Sequence, residues 1–429
     1  MADVARTVSV LDGYFKKIYL DKKDIRNVIP DNIRIQADIP YSTKNKMGKN
    51  LSFPVMFTLE QGFTHGAADE DILTYNDVQS ATSQEATVDA QQIMLKSLLS
   101  FKAASRSQSS EGAFENETKH LVANMVTSFK KRVEILMFYG RDGLGTIEAK
   151  VDDGSTVTLT LTKGSFAPWI WAGMENLRVD AILANRSGFS HATGRNVKVK
   201  AVDVDNRKVT LDADIEAVLN VGDHLYFAKT SEDAAASFVS AGIREMLGMK
   251  AILTTSGTLF GISNTNLSLW RGTQYDAGTD AILTFEIIQK AVAKGVSKGL
   301  EGAVKVYVSH LQWADIMNDL SALKRADASY SKKTAENGAE SIQFYSQNGS
   351  IEVIPNGNVK GGDAFVIKTD DWERCGSQEM TFNVPGRESE IFVPLTDKSA
   401  YMLAIYSDQV LFCKKPAAQV YIKDLSYND

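Results

Sequence analysis

Cysteine is nearly absent: 429 residues contain only Cys375 and Cys413. Two thiols make no disulfide framework, so a reducing compartment is expected, with both side chains as ordinary half-buried thiols. Histidine is sparse as well. The five, His65, His120, His191, His224 and His310, are scattered, and none stands near a candidate nucleophile in sequence. No G-x-S-x-G turn, phosphate loop, H-E-x-x-H or C-x-x-C occurs. GRDGLG at 140–145 has the wrong spacing for a dinucleotide turn and leads into a strand rather than a helix. His65 beside Asp69, Glu70 and Asp71 fits no ligand spacing, so neither a metal nor a cofactor is expected. There is no apolar run long enough for a membrane span, and no signal peptide is expected. The net charge of −6 argues against a general nucleic-acid binder, whose affinity would come from cations on phosphates. A cytoplasmic enzyme with an accessory β-barrel remains open, but no motif supports it.

What is there begins with a long amphipathic helix, predicted over Glu111 to Tyr139. Phe114, Leu121, Val122, Met125, Phe129, Val133, Leu136 and Met137 recur at spacings of three and four, one stripe of a helical period. Ser109 or Ser110 can cap its start, and Gly140 is read as a left-handed stop. Acids lie in its first turns and Lys130, Lys131 and Arg132 near its end, the sense its dipole favours. At about 1.5 Å per residue it would span roughly 40 Å. Its charged side is expected to meet neighbouring subunits or the lumen.

Before it, residues 1–40 read as an arm. From Lys16 to Lys49 basic residues outnumber acids nine to four, so this end is locally positive in an acidic chain. Residues 41–87 read as an extended β-hairpin. In LSFPVMFTL, Leu51, Phe53, Val55, Phe57 and Leu59 alternate on one side, and Pro54 confines the strand to an edge or an isolated hairpin. Such a projection is expected to bury its apolar face on another copy of the chain. Gln91 to Phe101 is ambiguous between strand and helix.

After the helix, GTIEAKV, TVTLTL, NLRVDAIL, NVKVKAVDV, RKVTLD and HLYFA read as six short strands, a small all-β barrel or sandwich inserted at 141–230. Asp203-x-Asp205 is a hairpin turn, since Arg207 and Lys208 stand where a calcium loop needs an acid and a glycine. Trp169 and Trp171 are read as packing aromatics. From 231 to 429 helices and strands mix. Thr284 caps one helix, Ser309 and Gln312 form a capping box for another, and the terminal YMLAIYSDQVLFC reads as two strands broken at Ser407-Asp408. The class is α+β.

The ordered set resembles the major capsid proteins of tailed bacteriophages with the Hong-Kong-97-type fold. Its carriers are DIPYSTKNKMGKNLSFPV and EQGFTH, SFKKRVEILMFYG, GMKAILTTSGTLFGIS, VYVSHLQWADIMND and AYMLAIYSDQVLFCKKPAAQVYIKDL. The resemblance implies an N-arm at 1–40, an extended loop at 41–87 and a peripheral domain at 88–140 with its spine helix at 111–139. It further implies an axial domain plus returning peripheral strands at 231–429. It implies a structural subunit, not an enzyme, that self-assembles into pentamers and hexamers of an icosahedral head around double-stranded DNA. Scaffolding, portal and decoration proteins are its implied partners, the host cytoplasm its place of assembly and the virion capsid its location. An encapsulin-type compartment shell is the alternative within the fold. Arg26, Lys46, Lys49, Leu51, Phe53, Val55, Phe57, Phe63, Lys130 and Arg132 are the candidate inter-subunit contacts. Lys44, Lys46 and Lys49 lie in the loop where some members form a lysine–asparagine cross-link, but neither a partner asparagine nor a catalytic acid is matched, so no cross-link is assigned.

Overall fold

The computed structural model describes residues 33–46, 48–69, 72–102, 105, 117–186, 195–229, 244–318, 342–346, 349–383 and 391–428. The arm up to residue 32, with Arg26, the proposed helix caps and Phe114 lie outside the described residues, as does the side chain of Lys46.

One sheet is organised by the 14-residue strand Ala400–Cys413. Gln91–Ser100 runs antiparallel along it from Ala400↔Ser100 to Gln409↔Gln91, so the ambiguous segment is a strand. On its other side lie Trp372–Thr381 and the short Phe392–Pro394, and Tyr41–Lys46 joins Trp372–Thr381 in parallel. The expected break at Ser407-Asp408 is absent, because the polar groups there find partners without turning the chain. Ser407 is fully buried and accepts from Gln409 Nε2 at 3.0 Å, while the Ser377 hydroxyl donates to Asp408.

A second sheet of six strands has the order Thr273–Ile282, Val420–Ser426, Ala364–Ile367, Val304–Val308, Gly349–Pro355, Ile342–Ser346. Helices Phe285–Val296 and His310–Asn318 pack against it. The first starts where Thr284 Oγ1 accepts from the Ile287 amide. It buries Phe285, Ile288 and Val292, one face of a helical period, on Val306, Val366 and Ile422. The second begins with the reciprocal capping box, Ser309 N to Gln312 Oε1 at 3.0 Å and Gln312 N to Ser309 Oγ at 3.2 Å.

Between the long helix and this sheet, six strands from Gly145 to Phe227 close into a barrel rather than a sandwich. Period-two alternation does the work: Val157, Leu159 and Leu161 point inward while Thr158 and Thr160 face out. The Asp203 turn is a hairpin, pairing Asp203 with Lys208 and accepting the Asn206 amide.

The long helix is described from Glu117 to Tyr139. Leu121, Met125, Phe129 and Val133 bury one stripe, but from Val133 to Tyr139 every residue is buried. This last part departs from the amphipathic expectation because it runs into the junction of all three units. Phe138 packs on Tyr307 and Phe365 of the six-stranded sheet at centroid distances of 5.8 and 5.6 Å. The buried Glu134 accepts from the amides of Arg34, Ile35 and Gln36, starting the short helix Ile35–Asp38. Gly140 is not the left-handed stop; that conformation falls on Arg141, at φ 66°. Gly140 is required for close approach instead, since a Cβ there would lie 2.1 Å from the Met246 carbonyl oxygen.

Candidate assembly surface

The hairpin pairs Leu51–Met56 with Ser83–Val88, from Leu51↔Val88 to Met56↔Ser83. Pairing continues beyond the ladder: Phe57 N donates to Thr82 O, Gln61 N to Gln79 O, and Asn76 Nδ2 to Phe63 O at 2.7 Å. Thr58 and Thr82 join by their hydroxyls at 2.9 Å. The two arms are thus held together to about residue 64, roughly 40 Å from Leu51 at the usual rise of an extended chain.

Its base does not await another copy, which corrects the expectation for its apolar face. Phe53 stacks on Phe412 at 4.4 Å, Phe57 meets Trp270 edge-on at 5.7 Å, and Leu51 and Val55 pack on the same core. On the opposite strand Ala86 and Val88 are fully buried, and the Thr87 amide donates to Phe260 O. These contacts fix the direction in which the arm leaves the molecule. The apolar surface without cover lies farther out, where Phe63 is 68% exposed and Ile72 85%, with Met56, Leu59, Tyr75 and Val78 equally bare. Alternation had singled out Leu59, but Ile72, Tyr75 and Val78 were missed. Their signal was isolated apolar residues within a turn-rich, acidic segment, where no periodicity marks them. Monomeric proteins rarely leave so many large apolar side chains together in water.

The charged candidates separate. Lys49 is exposed at the hairpin's foot. Lys130 is half-buried, and its carbonyl accepts from Gln36 Nε2. Arg132 turns inward, contrary to its place among the expected contacts: its guanidinium lies 3.1 Å over the Phe227 ring of the barrel. Burial lowers its pKa to about 10 against the opposing charge of Glu245. Neighbouring Lys131 donates to Ala172 O at 2.6 Å. The end of the helix therefore docks the barrel instead of facing outward.

A buried ionic junction fastens the same region. Asp142 lies 2.8 Å from Arg186 and 3.2 Å from both Lys250 and Lys360. Lys250 also reaches Asp363 at 3.1 Å, which accepts from the Tyr421 hydroxyl at 2.6 Å. Burial alone would raise the Asp142 pKa, yet Lys250, Lys360 and Arg186 hold it well below the carboxylate range. Burial pushes Lys360 down to about 8, with Asp142 opposing. A lysine so perturbed can mark a reactive site. Here its ammonium is occupied by Asp142 and by Gly143 O at 2.8 Å, and the Tyr139 ring lies 4.1 Å away. Every group in the cluster joins helix end, barrel and sheet, so its chemistry is that of a fastener. Among the described residues no group of three or more His, Cys, Asp or Glu side chains is placed to hold a metal ion.

No family model matches the chain, and no curated protein does. Solved structures do. The chain superposes on a subunit of the cyanophage A-1(L) capsid with a TM-score of 0.52 at 9% identity, covering 96% of this chain and 97% of that one. It superposes on the capsid of a native GTA particle with a TM-score of 0.51 at 9% identity, covering 99% and 100%. At such identity the likeness concerns the fold, which is the α+β Hong-Kong-97-type capsid fold along nearly the whole chain.

Proposed function

We propose that this chain is a structural shell subunit that self-assembles into the icosahedral head of a tailed phage around double-stranded DNA. One observation carries the reading: a paired arm, rigidly anchored at its base, projects uncovered Leu59, Phe63, Ile72, Tyr75 and Val78 away from the subunit's own core. Monomers rarely keep such a surface bare, and a neighbouring copy that offers the same arm onward would close a ring of heterologous contacts. Many modest contacts made at once give the lattice its strength.

In this reading the arm and the exposed Lys49 contact neighbouring subunits, joined by Arg26 and Lys46 of the basic N-terminal segment and by Lys130. The partly buried Leu51, Phe53, Val55 and Phe57 act indirectly, by aiming the arm. The barrel at 141–230 is an insertion between the peripheral domain, with its spine helix, and the axial domain at 231–429. The subunit is not an enzyme. It is assembled in the host cytoplasm with scaffolding, portal and decoration proteins as partners, and its place is the virion capsid.

The test is to replace residues 59–80 by a tight turn and examine the purified protein by sizing and negative-stain microscopy. The parent chain is expected to form closed shells or rings of five and six. The shortened chain is expected to fold and remain unassembled. Normal shells from the shortened chain would refute the interlocking arm, and a parent chain that stays monomeric at every salt concentration would refute the shell itself.

A further inference from the structure

At the C-terminal end of helix Phe285–Val296 lies a polar cavity of about 440 Å³, whose wall includes Ser268, Arg271 and Gly272 on either side of the hairpin-anchoring Trp270. Three cations converge on it: Arg271, Lys294 and Lys298. Thr265, Asn266 and Ser268 supply hydroxyl and amide groups to its wall, and no acidic residue lines it. Two of the cations have a bland explanation, since lysines at a helix C-terminus offset the partial negative charge of the last carbonyls. Arg271 has none of that kind. It belongs to the segment leading into the strand Thr273–Ile282, and its backbone is held by the adjoining Gly272, where a Cβ would lie 2.4 Å from Leu253 O.

Arg271 and Lys294 are exposed, while Lys298 is half-buried. Lys298 is lowered from the ordinary lysine range by burial first, then by the charges of Lys294 and Arg271. Among the described residues none of the three makes an ion pair, whereas Lys423, on the neighbouring strand, has both Asp276 and Asp424 at 2.7 Å. Lys294 spends one N–H on Gln274 O at 2.7 Å and keeps two others for a ligand. Rim geometry is set by the buried Asn264, which donates to Thr255 O at 2.9 Å and accepts from the Gly257 amide at 2.7 Å.

We propose that this cavity binds a phosphate group, free or carried on a nucleic-acid backbone. The convergence of a guanidinium, two ammonium groups and neutral donors matches a tetrahedral oxyanion, and a bound phosphate would relieve the mutual repulsion of the three cations. The proposal does not depend on shell assembly and is tested on the unassembled full-length chain.

The experiment compares the parent with a triple variant, Arg271→Gln, Lys294→Gln and Lys298→Gln, using two probes, inorganic phosphate and a short DNA duplex. Calorimetry reads the first and fluorescence anisotropy the second. If the duplex supplies the phosphates and all three cations are engaged, the log–log salt slope of the parent is steeper by about 2.7, so roughly 40-fold more affinity is lost between about 50 and 200 mM salt. Saturable binding of inorganic phosphate by the parent that the variant loses, with equal duplex binding by both, assigns the cavity to the free ion and supports the proposal equally. Competition of phosphate against duplex on the parent alone keeps the test decisive should the variant fold poorly. Identical behaviour of parent and variant towards both probes would overturn it. So would a parent that binds neither probe while the variant loses self-association, since the cavity would then take a neighbour's carboxylates.

Discussion

Phe63→Ser separates the two burdens that the proposed function places on the hairpin. In the isolated subunit this ring is 68% exposed, so its loss removes little from the fold, within about 0.5 kcal/mol for an uncovered surface position. In the lattice the same ring would be covered. Burying a phenylalanine side chain contributes about 1.5–3 kcal/mol, and because roughly two-thirds of it is open beforehand, about 1–2 kcal/mol per contact is at stake. Each subunit extends one arm, so that loss applies once per subunit added. At about 1.4 kcal/mol per decade it raises the protein concentration needed for assembly by about 5- to 30-fold. Light scattering against concentration reads the threshold, and circular dichroism of the unassembled subunit reads the fold. An unchanged threshold, or a melting temperature that falls in step with it, would defeat the division of labour between anchored base and free tip. Phe53→Ala is the control of opposite sign. That ring stacks on Phe412 within the chain, so its loss destabilises the subunit itself by about 2 kcal/mol, less than a fully buried phenylalanine because Phe53 is only partly covered.

Asp142→Asn removes the charge shared by Lys250, Lys360 and Arg186. It should cost about 3–5 kcal/mol in urea unfolding, because buried cations are left unpaired; a loss under about 1 kcal/mol would refute the fastener. That carboxyl's folded pKa is depressed, so its stabilisation is present above the unfolded carboxylate value and is lost as pH falls below about 4. His224 acts earlier in the same direction. Burial first, then the charge of Arg186, lowers it to about 4 from the usual 6.5. The unfolded chain therefore takes up the proton first, and stability falls between pH 6.5 and about 4, by about 1–2 kcal/mol at pH 5. Melting curves of His224→Gln should show a shallower loss over that window, and an unchanged slope would sink the assignment. Gly140→Ala should cost at least about 2 kcal/mol, since the new methyl meets the Met246 carbonyl oxygen at 2.1 Å; a melting temperature like the parent's would show that the loop at 246–248 yields.

Much of the element order was written locally. Strict alternation gave the hairpin strand, TVTLTL read as a strand and the barrel contains it, and short-range caps at Thr284 and Ser309 set two helix starts. The failures have a common cause. Ser407-Asp408 looks like a turn by composition, but the strands on either side supply its pairing partners and keep the chain straight. Gly140 looks like a helix stop, and only the loop bearing Met246 and Gly248, more than a hundred residues on, reveals that its missing side chain is a matter of space. Arg132 looks like a surface cation because its neighbours are lysines; the Phe227 ring that covers it belongs to a unit folded separately along the chain. In each case a residue's role was decided by a partner remote in sequence, which no local rule contains.

The candidate surface follows the same logic in reverse. Apolar residues at the hairpin's base and tip look alike in sequence, and what divides them is whether Phe412, Trp270 and Phe260 lie within reach. If the chain assembles as proposed, the anchored half matters as much to that assembly as the free half. A two-stranded ribbon alone is only marginally stable in water, so a tip presented on an unanchored ribbon would pay an ordering cost each time it docked. Phe53 and Phe57 remove that cost by holding the arm in one direction before any neighbour arrives. Loss of the base should therefore show itself in assembly even when the subunit still folds: at a temperature where Phe53→Ala remains fully native by circular dichroism, its assembly threshold should still rise, although every tip residue is intact. A native Phe53→Ala subunit that assembled at the parent's threshold would mean that the tip finds its partner without being aimed.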